Sequence, residues 1–291
     1  MRLALVYKYP TQDARRSTQN TIMSITHSFA RHLKLFTRLL YMHNRANVEY
    51  RADFWLKIFG LVLRNVVGVV FIYALFANVN QLVGWVRAEV MLLYALAVAP
   101  RGLLQLFCNG AWQLQNYIHR GQFDQMLTRP LSPVFQTLTL TMSIEGLGTL
   151  AVGVTAFVAG YTSLGLAWGA AQWLLLLVVV LGGTVLVASL DIAMHALTFW
   201  SPDAARLQWF VEQSTEFAQY PVGLYHRALQ LMLSTVLPFA FISYYPLAYL
   251  LGKPEGSLGL ALLSPVIGIL FAVLMSRVWH AGLQRYQSSG S

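Results

Sequence analysis

Charge is scarce in this sequence: Asp, Glu, Lys and Arg make up 11% of its 291 residues, against 57% hydrophobic ones. Soluble domains carry about 25% charged residues, so a water-facing globule of this length is excluded. Cysteine is nearly absent. The lone Cys108 cannot close an intramolecular disulfide, and no Cys and His set stands at metal-ligand spacing. Nucleotide-binding machinery is missing as well. The nearest string to a phosphate loop, Gly252-Lys253-Pro254, lacks both the upstream glycine and the hydroxyl that a phosphate cradle uses. Hydrolase elbows and kinase motifs do not occur, so the chain is expected to be no enzyme and to hold no cofactor of its own. The first 20 residues contain Lys8, Asp13, Arg15 and Arg16 and no apolar core, which argues against a cleavable signal peptide.

What is present is long apolar runs. Mean hydropathy is +0.55, and six stretches approach the roughly 20 apolar residues that a spanning helix needs. They cover residues 58–78, 89–107, 138–161, 173–199, 228–251 and 258–279. Trp85, Trp168, Trp173, Trp200 and Trp279 stand near their ends, as interfacial aromatics do. Lipid forces backbone groups to pair within each segment, and alternating strand patterns are missing. The expected fold is therefore an all-α polytopic membrane protein with six transmembrane helices. Its parts are a cytoplasmic N-terminal segment at 1–54, a transmembrane domain at 55–283 and a cytoplasmic tail at 284–291. Pro238 and Pro246 interrupt the fifth run, so that span is expected to be kinked, or split with its outer half dipping into the membrane and returning.

Positive charge sets the orientation. Ten of the 20 Lys and Arg precede the first run, which places both termini in the cytoplasm under the positive-inside rule. Arg120, Arg129, Arg206, Arg227 and Arg285 then fall inside, and only Arg87 and Lys253 fall outside. The net charge of +9 reads as membrane orientation and contact with anionic lipid, and nucleic acid is not an expected partner. Residues 22–40 carry Ile25, Phe29, Leu33, Phe36 and Leu40 on one helical face and Arg31, Lys34 and Arg38 on another. That pattern suits a helix lying in the membrane interface, or else one packed on its own protein.

Ionisable residues inside the runs are Arg64, Arg101, Glu145 and Asp191. Each costs about 2.5–3.5 kcal/mol at a helix centre on the insertion scale. They either line a translocation path or gate, or serve structure: the arginines by snorkelling to the span ends, the acids as hydrogen-bond partners. His195 stands one turn from Asp191, where it shares a proton or fills the core. Gly146, Gly148, Gly153, Gly160, Gly182 and Gly183 allow close helix packing within the chain or at a subunit interface. Between the second and third runs, residues 109–135 form an aromatic, apolar loop with short helical turns broken by Gly121, Pro130 and Pro133. A surface so greasy is expected to contact something.

At Gly121-Gln122-Phe123-Asp124-Gln125-Met126-Leu127-Thr128-Arg129-Pro130-Leu131 the sequence resembles the type 2 ABC exporter permeases of bacteria, in the branch whose loop reads roughly G-x-x-D-x-x-L-x-R-P-L. Gly84-Trp85, Phe199-Trp200, Tyr220-Pro221, Leu237-Pro238-Phe239, Tyr245-Pro246, Leu251-Gly252 and the C-terminal Tyr286-Gln287-Ser288-Ser289-Gly290-Ser291 match the same branch in order. The resemblance implies a half-transporter of the bacterial cytoplasmic (inner) membrane. It works with a second copy or a related permease, and with a separate ATP-binding cassette ATPase subunit that binds ATP and Mg. It also implies a coupling helix that sits in a groove of that subunit. On this sequence the contact maps to Gln115, Tyr117, Ile118, Arg120, Gly121, Gln122, Phe123, Asp124, Met126, Leu127, Arg129 and Pro130. In this reading Phe123, Met126 and Leu127 plug the groove while Asp124 and Arg129 make charged contacts. The competing expectation is a secondary transporter driven by an ion gradient, with Glu145 and Asp191 as carriers.

Overall fold

The computed structural model describes residues 51–141, 143, 146–201 and 204–286. The interface helix expected at 22–40, Glu145 and the tail from 287 onward lie outside the described residues. Every regular element among the described residues is helical. In chain order we label them α1 (Arg51–Leu75), α2 (Arg87–Cys108), α3 (Leu114–His119), α4 (Phe123–Leu127), α5 (Pro133–Leu138), α6 (Gly146–Ser163), α7 (Ala170–Ala196), α8 (Ala205–Ser214), α9 (Arg227–Thr235), α10 (Tyr244–Leu250) and α11 (Leu258–Arg285). Five of these, α1, α2, α6, α7 and α11, are long and apolar enough to cross a membrane.

α2 is the central strut. Its residues Val90 to Leu96 are buried in a cluster with Ile72, Ala156, Val222, Tyr244 and Leu247, which fixes the Arg87 end of the bundle. A second cluster, with Leu104, Leu186, Leu190, Leu233 and Phe239, lies further along. A third closes the Cys108 end with Ala111, Leu114, Phe123, Met126, Ile192 and Trp279. α1 packs on α6 and leaves Trp55, Phe59, Leu63, Val67 and Val70 exposed, an apolar face suited to lipid. Trp85 and Trp279 are each only 1% exposed, so these two tryptophans are core residues rather than the interfacial anchors the sequence suggests.

The fifth apolar run is broken, as its prolines lead one to expect, and a polar passage precedes it along the bundle. α8 begins at the Cys108 end, where Gln208 donates to Thr198, and its Glu212 meets Arg101 further along α2. The 3₁₀ turn Thr215–Gln219 packs on α2, and Val222 then joins the cluster at the Arg87 end. The passage 205–224 thus runs the length of the bundle. Within the apolar run at 228–251, Leu229 and Leu233 of α9 pack in the middle cluster, the chain bends by 70°, and α10 leads to the Arg87 end, where Lys253 meets Glu89. Pro238 supplies the break, since it has no N–H to donate and its ring opposes a continuing helix. Both ends of the described chain, the start of α1 and the end of α11, lie at the Cys108 end, as an even number of crossings requires.

Small residues let two of the long helices touch. A Cβ placed on Gly182 of α7 would stand 2.6 Å from the Pro265 Cα, and one on Gly268 of α11 would stand 2.5 Å from the Gly182 carbonyl oxygen. Backbone cannot yield as a flexible side chain does, so Gly182→Leu is expected to force α7 from α11 at a cost of about 3 kcal/mol. A thermal melt of the detergent-solubilised protein checks this, and Gly259→Leu, where no atom other than the Ser257 hydroxyl oxygen lies within 4 Å, is the neutral control.

Candidate functional site

Arg64, Arg101 and Asp191, scattered over α1, α2 and α7, line one cavity of about 340 Å³. Glu212 and Gln208 of α8, Gln105 of α2 and Trp112 complete its polar and aromatic wall. A second cavity of about 310 Å³ shares Arg64, Arg101 and Thr215 with the first and extends toward Asn65, Tyr94, Glu216 and Tyr220. The two make one polar cleft between α1, α2 and the α8 passage.

Arg101 does not snorkel. Its guanidinium turns inward to form an ion pair with Glu212, and donates 2.9 Å to the Thr215 hydroxyl and 3.3 Å to the Glu212 carbonyl oxygen. This pair clamps the interrupted fifth passage onto α2. Asp191 lies 3.5 Å from His195 Nδ1, which is closer, at 2.8 Å, to the Asp191 backbone carbonyl. His195 is buried and its ring packs against Trp112, with centroids 5.4 Å apart. It therefore fills the core and links the cleft wall to the loop that follows α2. Glu145 lies outside the described residues. Among the described residues no group of three or more His, Cys, Asp or Glu is placed to hold a metal ion.

Glu212, Thr215 and Gln208 are the residues that sequence reading passed over, because 201–226 scans as a polar connection. A signal was available. Gln208, Glu212 and Thr215 recur at helical spacing beside Trp209, Phe210 and Phe217, which describes a passage with its polar stripe turned inward.

The loop at the Cys108 end is built from α3, α4 and α5. Gly121, at φ +66, ends α3 by letting Gln122 N–H donate 2.9 Å to the Tyr117 carbonyl. A left-handed residue here favours glycine. Phe123 is fully buried, with its ring centroid 5.0 Å from Tyr286 and 5.4 Å from Phe199. Met126 is buried beside it, and the Gln136 amide donates 2.9 Å to both the Met126 and Leu131 carbonyls. The side chains of Phe123 and Met126 are thus packed within their own chain. Burial, then the Asp124 carboxylate, push the Tyr286 phenol up to about 12, although its oxygen falls outside strict hydrogen-bond geometry. The neutral phenol therefore favours docking of the α11 end up to about pH 10, and this is lost as pH rises toward 12. Arg120, Gln122, Leu127, Arg129 and Pro130 remain exposed, while Gln115, Tyr117, Ile118, Gly121 and Asp124 are half-buried.

A family model described as ABC-2 family transporter protein matches residues 62–290. The chain belongs to the ABC-2 transporter family. Among curated proteins and among solved structures, nothing matches the chain. ABC-2 family chains are membrane transport components that work with an ATP-binding subunit. The match begins inside α1, so it takes in Arg64, every charged residue of the cleft and the docked loop of this ABC-2 chain.

Proposed function

We propose that this ABC-2 family chain is the permease half of an ATP-driven exporter of the bacterial cytoplasmic membrane, with the Cys108 end facing the cytoplasm. A separate ATPase subunit binds ATP and Mg and receives the loop 109–135. A second copy of the chain, or a related permease, completes the pathway. The observation that carries this reading is the anchoring of the loop. With Phe123, Met126 and Gln136 fixed to the bundle, a push on Leu127 or Arg129 moves helices instead of bending a slack connection. Trp112, against His195 of α7, ties the same loop to the wall of the cleft. Asp124, beside Tyr286, acts in this scheme by holding the end of α11.

Gentle purification from the native membrane is expected to bring down an ATPase subunit carrying a Walker loop. Leu127→Ala with Arg129→Ala is expected to cut ATP-dependent export at least about tenfold while leaving the melting temperature within a degree or two, since exposed interface anchors carry binding energy and little fold stability. Transport by the lone chain on an ion gradient, with Asp191 required, is the result that would replace this reading by the gradient-driven one.

A further inference from the structure

The charges of the cleft are not all spent on one another. Arg101 is neutralised by Glu212, and Asp191 faces His195. Arg64 and Glu216 are different. Both are exposed, both line the second cavity, and neither makes an ion pair or a side-chain hydrogen bond among the described residues. An uncompensated charge at membrane depth is costly and is retained where it has something to bind. Here a cation and an anion that make no ion pair among the described residues border a single cavity of about 310 Å³, at the small end of the range for ligand sites. The same cavity has an aromatic wall: Phe71 of α1 meets Tyr220 edge-on, with ring centroids 6.1 Å apart.

We infer that this cleft binds a zwitterionic amphiphile, with Arg64 receiving its anionic group, Glu216 its cationic group, and Phe71 and Tyr220 its apolar part. A singly charged molecule would satisfy one side and leave the other bare. The inference rests on the transport reading above for its purpose, but not for its test. The same chemistry has two sources, a lipid headgroup and a soluble molecule with an amine and an acid.

The test is equilibrium binding to the purified chain held in an amphipol, without ATPase or nucleotide. Octylphosphocholine probes the lipid source and a leucyl-phenylalanine dipeptide the soluble one; octyl phosphate and octyltrimethylammonium are the singly charged controls. At least one zwitterion is expected to bind about tenfold tighter than either control, the value of one charge-assisted contact. Arg64→Gln is expected to weaken the zwitterion and the phosphate but not the ammonium, and Glu216→Gln the zwitterion and the ammonium but not the phosphate. Folding of each variant is followed by its melting temperature. Equal binding of all probes overturns the inference. So does full recovery of zwitterion affinity in Arg64→Glu with Glu216→Arg, because exchanged charges restore a pair between the two side chains but misplace both groups for the bound one. Selective binding without ATP-driven transport would keep the site and discard the exporter, whereas ATP-driven transport without charge preference would do the reverse.

Discussion

Replacing Phe123 with alanine is expected to cost about 3–5 kcal/mol of stability, the range for deleting a fully buried aromatic ring. The ring is completely enclosed and touches Phe199 and Tyr286 edge-on or tilted, within a cluster that also holds Trp279. Its removal leaves a cavity at the point where the loop, the end of α7 and the end of α11 converge. Thermal unfolding in detergent measures the loss, and Phe123→Leu, which keeps most of the volume, is expected to recover more than half of it. Paired with Leu127→Ala, which is expected to spoil coupling alone, the experiment separates anchoring from contact. An unchanged melting temperature for Phe123→Ala would show that the loop is not held by this ring.

Arg101→Ala is expected to be the more damaging half of a pair. It strands Glu212 in a half-buried site beside Thr215, and breaking a buried ion pair from one side costs about 3–5 kcal/mol. Since both side chains keep partial exposure, 22% and 13%, the lower end of that range applies. Arg101→Ala with Glu212→Ala is expected to regain a good part of the loss, because neither charge is then left alone. The four melting temperatures of the double-mutant cycle give the coupling directly. Additive losses would mean that Arg101 does not hold α8 through Glu212.

The long helices were legible because lipid imposes one simple rule. Runs of about 20 apolar residues can only be helices, and α1, α2, α6, α7 and α11 follow from it. The passage at 205–224 escaped for the opposite reason. A passage with Gln208, Glu212, Gln213 and Glu216 lacks the apolar signature even though Gln208 is buried against the bundle, while α9 and α10 have that signature but are bent by 70°. Arg101 shows the same limit. Position in a span says that a charge needs a partner but does not say which, and its partner lies 111 residues away. In the loop, the helical turns and the break at Gly121 were readable from turn chemistry. The inward turn of Phe123 and Met126 was not, since an apolar side chain in a water-side loop looks the same whether it waits for a partner or is already buried at home.

The bent hairpin of α9 and α10 constrains the order of assembly. Between Thr235 and Tyr244 the backbone leaves the α-helix deep in the bundle, where Phe239, Ala240 and Ser243 are shut away and the Ser243 hydroxyl donates to the Ala218 carbonyl. Bare lipid offers no donor or acceptor for such an elbow. It can settle only into a socket already walled by α2, α7 and the 205–224 passage, so the long helices must gather first and the hairpin must be the last piece to seat.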